Sequence, residues 1–277
     1  MRGTVRDAAM RLGLSGAPDL RAGLMPEGPE PLDWQGAAID CGACRHAARL
    51  PQGLCGPAWA CVNDRYARRI ERFFLLGPEL ADAFLTHPYF EVRAQAARRA
   101  NLFRLPHLLE DPDPAVRAVA ILRLPPAQAR RLIADPDRAV RIAVAHRLPP
   151  ADLHLMMRDE DPAVRLVIVR RAEVGTLPVL AHDPDPEIRR AVARRVDPAW
   201  LIHFSGDPEP LVRRAAAERI EPAHLGAFAS DPDLRVRHAV AERAPRPVAL
   251  RLAEDEDPLI RETALLRLAQ LREESDA

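Results

Sequence analysis

Apolar side chains recur along this chain at the spacing of one helix face, and the face itself recurs every 24 residues. Val116, Ala120 and Leu124 are spaced i, i+4, i+8, as are Val140, Val144 and Leu148, and Val212, Ala216 and Ile220. That spacing predicts one buried stripe on a short amphipathic helix. The stripe stops at "LPP" or a similar Pro-containing break, where a helix must end. A second, shorter apolar pair follows: Leu153 and Met156, Leu201 and Phe204, Leu225 and Phe228. Its i, i+3 spacing predicts a single turn of 3₁₀ or short α-helix. No stretch alternates with period two, so no sheet is expected.

The polar positions between these stripes carry the same period. "DPDPAVR" begins at Asp111 and "DPDRAVR" at Asp135, and related heptads begin at Asp159, Asp183, Asp207, Asp231 and Asp255. "HPYFEVR", from His87, is an earlier copy with His in place of Asp. The second acid of each heptad precedes the helical run, where Asp is a good N-cap. Pro follows it at 114, 162, 186, 210 and 258, the first helical position, where its missing N–H costs nothing. Eight 24-residue repeats thus occupy 87–277. A fainter unit at 63–86 keeps Pro78 three periods before Pro150, and Arg69 on the register of Arg93; it reads as an N-terminal capping repeat. The architecture expected is all-α, a solenoid with one α-helix and one short 3₁₀ or α-helix per repeat.

Charge changes the picture little. The 40 acidic and 40 basic residues cancel, and every basic residue is Arg. Neutrality removes any global drive toward nucleic acid or an anionic membrane. Two Arg columns run through the repeats. One is Arg93, Arg117, Arg141, Arg165, Arg189, Arg213, Arg237 and Arg261, and the other runs from Arg99 to Arg267 in the same steps. They read either as a surface for phosphate or an acidic partner, or as structural groups that pair with the Asp columns and cap helix carbonyls between units. The structural reading is preferred, because each unit supplies about as many turn carboxylates as column arginines.

The candidate chemistry lies ahead of the repeats. Cys41, Cys44, Cys55 and Cys61 are the only four cysteines, separated by two, ten and five residues. A CxxC pair places two thiolates on one centre, with Gly42, Gly53 and Gly56 letting the chain bend around it. Tetrahedral zinc and a cubane cluster both take four thiolates, and the spacing leaves both open. Trp34 and Trp59 flank the cysteines, as a shield for the centre or as the segment's own core. His46 reads as a neighbour of the centre or as a plain surface residue. Tyr66, Ile70, Phe73 and Phe74 predict a helix that packs onto the first repeat.

The rigid 24-residue period, with one helix and one Pro-led turn, resembles the leucine-rich repeat variant family over about residues 62–277. The resemblance implies a right-handed superhelix of alternating α- and 3₁₀-helices. It also implies an N-terminal domain at 31–62 in which Cys41, Cys44, Cys55 and Cys61 each give one thiolate to a 4Fe–4S cluster, and a setting near nitrogen-fixation genes.

Residues 1–30 read as a flexible leader around a short helix at 6–14, without a signal peptide or a membrane span. The chain is therefore expected in the cytoplasm, as a monomer with a protein partner and no membrane role. No phosphate-binding Gly-rich loop, "GxSxG" or "HExxH" occurs, and no catalytic constellation emerges. The reading is an iron–sulfur redox or protein-interaction module. The alternative is a zinc-capped scaffold for nucleic acid or protein, for which the locally basic 65–104 region is the best nucleic-acid candidate.

Overall fold

The computed structural model describes residues 28–276; the helix expected at 6–14 lies outside them. Contacts divide the chain into two units, Met1–Arg147 and Leu148–Ala277. The first carries the cysteine segment and then the α-helices Ala67–Leu76, Phe90–Ala97, Pro114–Arg123 and Arg138–Arg147. The second carries Pro162–Arg171, Pro186–Ala193, Pro210–Ala217, Leu234–Ala241 and Pro258–Asp276. Among the described residues there is no strand, only isolated bridges within and beside the cysteine segment.

The stripes are where the sequence put them. Val116, Ala120, Val140, Val144, Val212 and Ala216 are fully buried, as are Leu153, Leu201 and Leu225 from the shorter elements. Those shorter elements are longer than the single turn expected. Pro150–Met156, Val174–Leu180, Pro198–Phe204 and Pro222–Phe228 are each seven residues of 3₁₀-helix. Rise per residue supplies the reason. Seven 3₁₀ residues at roughly 2.0 Å each span about 14 Å. Ten α-helical residues at roughly 1.5 Å each span about 15 Å. The stretched helix lets a segment too short for a second α-helix of that length run back along the first. Local sequence varies the theme. Pro126–Ala129 is an α-turn before the 3₁₀ turn Arg130–Leu132, and Arg246–Leu252 is α-helical throughout. The last repeat departs most, because its helix continues without a break to Asp276, and no Pro interrupts the run after 258.

Each turn is held by both acids of its heptad. The second acid caps the helix: Asp113 Oδ1 accepts from the Ala115 N–H at 2.9 Å, and Asp185 Oδ1 from Glu187 at 2.8 Å. The first acid accepts the N–H two residues on, as Asp231 does from Asp233 at 2.9 Å. It also receives the Arg of the preceding unit. Arg213 Nε and Nη2 meet the two oxygens of Asp231 at 2.7 and 2.8 Å, while its Nη1 donates to the Asp207 carbonyl at 2.8 Å. The same fork joins Arg93 to Asp111, Arg117 to Asp135, Arg165 to Asp183, Arg189 to Asp207 and Arg237 to Asp255. Arg141 and Arg261 make the carbonyl half to Asp135 and Asp255.

The second column reaches backward. Arg123 Nη1 donates to the Ala97 and Ala100 carbonyls at 2.7 and 2.6 Å, Arg219 to Ala193 at 2.7 Å, and Arg243 to Ala217 and Ile220 at 2.8 and 2.9 Å. These are carbonyls at the ends of preceding helices, which have no partner within their own helix.

Removing one partner of a buried fork strands the other charge. Arg213→Ala is expected to lower unfolding free energy by about 3–5 kcal/mol. Arg213→Lys should cost less, since it keeps the charge and loses only the fork. Urea denaturation checks this, and a loss under about 1 kcal/mol for the Ala variant would reduce the forks to ordinary surface pairs.

Acid should act through the same groups. Burial pushes Asp135 and Asp255 up, but the hydrogen bonds from Arg117 or Arg237, a backbone N–H and the nearby guanidinium charges outweigh it and hold both below the usual carboxylate range. A carboxylate depressed in the folded state stabilises it above the unfolded pKa of about 3.9, and that stability is lost as pH falls toward the folded value. The thermal midpoint should change little with these groups from pH 7 to about 4 and drop below that. A midpoint unaltered at pH 3 would contradict the assignment.

Candidate metal centre

Short polar contacts shape the cysteine loops. Asp40 Oδ1 accepts the N–H of Gly42 at 2.8 Å and of Ala43 at 3.2 Å, folding the chain between Cys41 and Cys44. A 3₁₀ turn, Ala47–Arg49, follows and turns the chain toward Cys55. Of the three glycines expected to permit bending, Gly53 has a positive φ, at 69°. The loop between Cys55 and Cys61 is closed by a Gly56–Ala60 bridge, with Ala58 in the left-handed region at φ 61°.

These turns bring all four cysteines to the wall of one cavity, none in a disulfide. The rest of the wall is largely apolar, with Ile39, Leu50, Val62 and Phe73. N–H groups point at the sulfurs. Cys44 Sγ accepts from the His46 backbone at 3.4 Å and from Asn63 Nδ2 at 3.5 Å, and Cys61 is approached by the backbone N–H groups of Asn63 and Asp64. Burial pushes the Cys61 thiol up to about 11 despite these donors. Burial and then the neighbouring Cys44 raise Cys55, and the charge of Arg49 opposes them. A thiolate here therefore needs a cation, and four soft thiol donors suit zinc or iron–sulfur chemistry. Among the described residues, no three His, Cys, Asp or Glu side chains are gathered as ligands of a single ion. Four thiols on one largely apolar wall fit a centre held by four thiolates.

The other sequence candidates are placed unequally. His46 lines the cavity, packs on Phe73 and Phe84 at ring distances of 5.2 and 5.6 Å, and is held below its ordinary pKa by burial and then by Arg45 and Arg49. The two tryptophans are not in the wall. Trp34 stacks on Tyr89 at 6.0 Å and meets His87 edge-on. Trp59 gives its carbonyl to Arg72 Nη1 at 3.1 Å, with that guanidinium 5.9 Å from its ring. Sequence reasoning missed Asn63 as a sulfur neighbour, and it missed the buried ion pair beside Cys61.

That pair is Arg69 with Asp64, 3.0 Å apart and almost wholly buried. Arg69 stands on the register of Arg93, but its turn has His87 where the next Asp would be. It turns instead to Asp64 and donates to the Pro29 carbonyl at 2.7 Å. Pro29, expected in the leader, is thereby tied to the first helix.

Residues 31–83 match the family model of the LRV protein FeS4 cluster. The match runs past the last cysteine, through the Ala67–Leu76 helix and most of the following 3₁₀ segment. A solved structure described as a leucine-rich repeat variant with a novel repetitive protein structural motif superposes with a TM-score of 0.77. It is 38% identical, over 82% of this chain and 97% of that one. The chain belongs to the leucine-rich repeat variant family. A Rhodobacter capsulatus protein described as an uncharacterized 27.7 kDa protein in the nifB 3' region is 69% identical over 103 residues. Those residues are 37% of this chain, and the match spans 42% of that relative's length. This leucine-rich repeat variant is an iron–sulfur member of the family, with a helical-repeat solenoid behind its cysteine domain.

In this variant, Asp64→Ala leaves Arg69 charged and buried, and should cost about 3–5 kcal/mol. The double variant Asp64→Ala/Arg69→Met should recover most of that loss in urea denaturation. Equal losses in both would show that packing, and not the stranded charge, sets the cost.

Proposed function

We propose that Cys41, Cys44, Cys55 and Cys61 hold one 4Fe–4S cluster, each through one thiolate, and that the chain works as a redox or protein-interaction module. The observation that carries this reading is the four thiols on the wall of one largely apolar cavity, all within the residues that match the FeS4 cluster family model. Bound, the cluster would supply a one-electron couple. The chain's own groups then have clear tasks. Arg49 places positive charge beside Cys55. The N–H donors on Cys44 and Cys61 favour the more negative state of a bound cluster, and Phe73 and Leu50 keep water from it.

The setting we infer is a cytoplasmic monomer that meets a protein partner through its repeats. The relative named for the nifB 3' region supports a role in nitrogen fixation. No helix among the described residues is long and apolar enough to cross a membrane.

Anaerobic purification with iron, sulfide and zinc analysis tests the centre. The expected result is brown protein absorbing near roughly 400 nm, with about four iron and four sulfide per chain, and loss of both on changing any of the four cysteines to Ala. Colourless protein with one zinc under strict anaerobiosis would overturn the cluster reading and leave a zinc-capped scaffold.

A further inference from the structure

The second arginine column has an exception that the sequence does not show. By register, Arg99 should reach the Leu76 carbonyl, as Arg123 reaches Ala100 and Arg243 reaches Ile220, each 23 residues back. Arg49 of the cysteine segment already holds that carbonyl, with Nη2 donating at 3.0 Å. Arg99 is left exposed. Neither its guanidinium nor that of the exposed Arg98 has a hydrogen-bond or ion-pair partner among the described residues.

Both line an open cleft of about 320 Å³, with Arg123, Glu71, Val119 and Leu122. Three guanidiniums face one carboxylate there, so the cleft carries uncompensated positive charge. Burial, and then the charge of Arg99, hold Arg123 below its ordinary pKa, with Asp82 opposing. The surroundings are also apolar. Leu122, in the wall, is 48% exposed.

We propose that this cleft docks an acidic segment of a partner protein, whose carboxylates pair with Arg98 and Arg99 while an apolar side chain rests on Val119 and Leu122. Guanidinium forks match carboxylates in geometry as well as charge. A nucleic acid fits less well, because the forked column arginines are engaged within the chain and offer no track of phosphate sites. The inference deepens the reading of the chain as a protein-interaction module. It does not depend on the metal.

The test is fluorescence anisotropy at low salt, with a labelled octapeptide of alternating Glu and Leu, its Gln-for-Glu analogue and an octamer of deoxythymidine. The expected result is that the Glu peptide binds more tightly than both other probes. Arg98→Ala/Arg99→Ala should weaken it at least about tenfold, with circular dichroism and iron content unchanged. Arg158→Ala, which removes an exposed charge elsewhere, should leave binding unaltered. Equal loss in Arg158→Ala, or none in the double variant, overturns the cleft. Tighter binding of the oligonucleotide, lost in the double variant, replaces the acidic protein by a nucleic acid. Iron content on the same samples separates failure of docking from failure of the cluster.

Discussion

The fork between one repeat's Arg and the next repeat's Asp is the interaction on which the rest of the structure depends. Each carboxylate is buried at a turn where backbone N–H groups already converge, and burying it without a cation would be costly. Each guanidinium fills its remaining donors with carbonyls of its own turn, as Arg213 does with Asp207. One side chain therefore fixes a turn and its distance to the next turn together. That double duty explains why the period tolerates no insertion: a shift of one residue would rotate the Arg about 100° around its helix and strand both charges. A planar guanidinium fork can do both at once, which a Lys ammonium cannot.

Once the spacing is set, the short elements have little freedom. In a 24-residue unit with a helix of eight to ten residues, the turns leave a return segment of seven, and the larger 3₁₀ rise lets those seven run the helix's length. The eclipsed i, i+3 faces of a 3₁₀-helix bring Leu201 and Phe204 to the same side, both buried. The poorer hydrogen bonding of this helix is offset by that burial, and by Pro at its start in most units.

Much of this was legible in the sequence, because it repeats. The N-caps, the buried stripes and the carbonyl-seeking arginines each appear several times, so chance placement fails as an explanation. The junction with the cysteine segment was not legible, because each contact there occurs once. Nothing in the spacing of Trp34 says that it stacks on Tyr89, or that Asn63 reaches Cys44. The length of the 3₁₀ elements escaped for a different reason. Spacing at i, i+3 marks two positions on one face and does not say how many turns surround them. The last repeat lacks the Pro that ends the others, so the sequence does carry a signal for its longer helix.

The junction works by substitution of repeat contacts, one for one. His87 stands where a turn Asp belongs, and its Nδ1 accepts the Tyr89 N–H at 3.1 Å as Asp111 accepts that of Asp113. A neutral imidazole cannot receive a bidentate guanidinium, so Arg69 is released to the buried Asp64. Arg49 then takes the Leu76 carbonyl that the column would give to Arg99. The cysteine segment is thus built into the first repeat through the same donors and acceptors that join repeats to one another. Folding the cysteine loops and leaving Arg99 without its register partner are two sides of one contact. Because Arg49 also places its charge beside Cys55, the metal cavity and the basic cleft share a residue that lines neither.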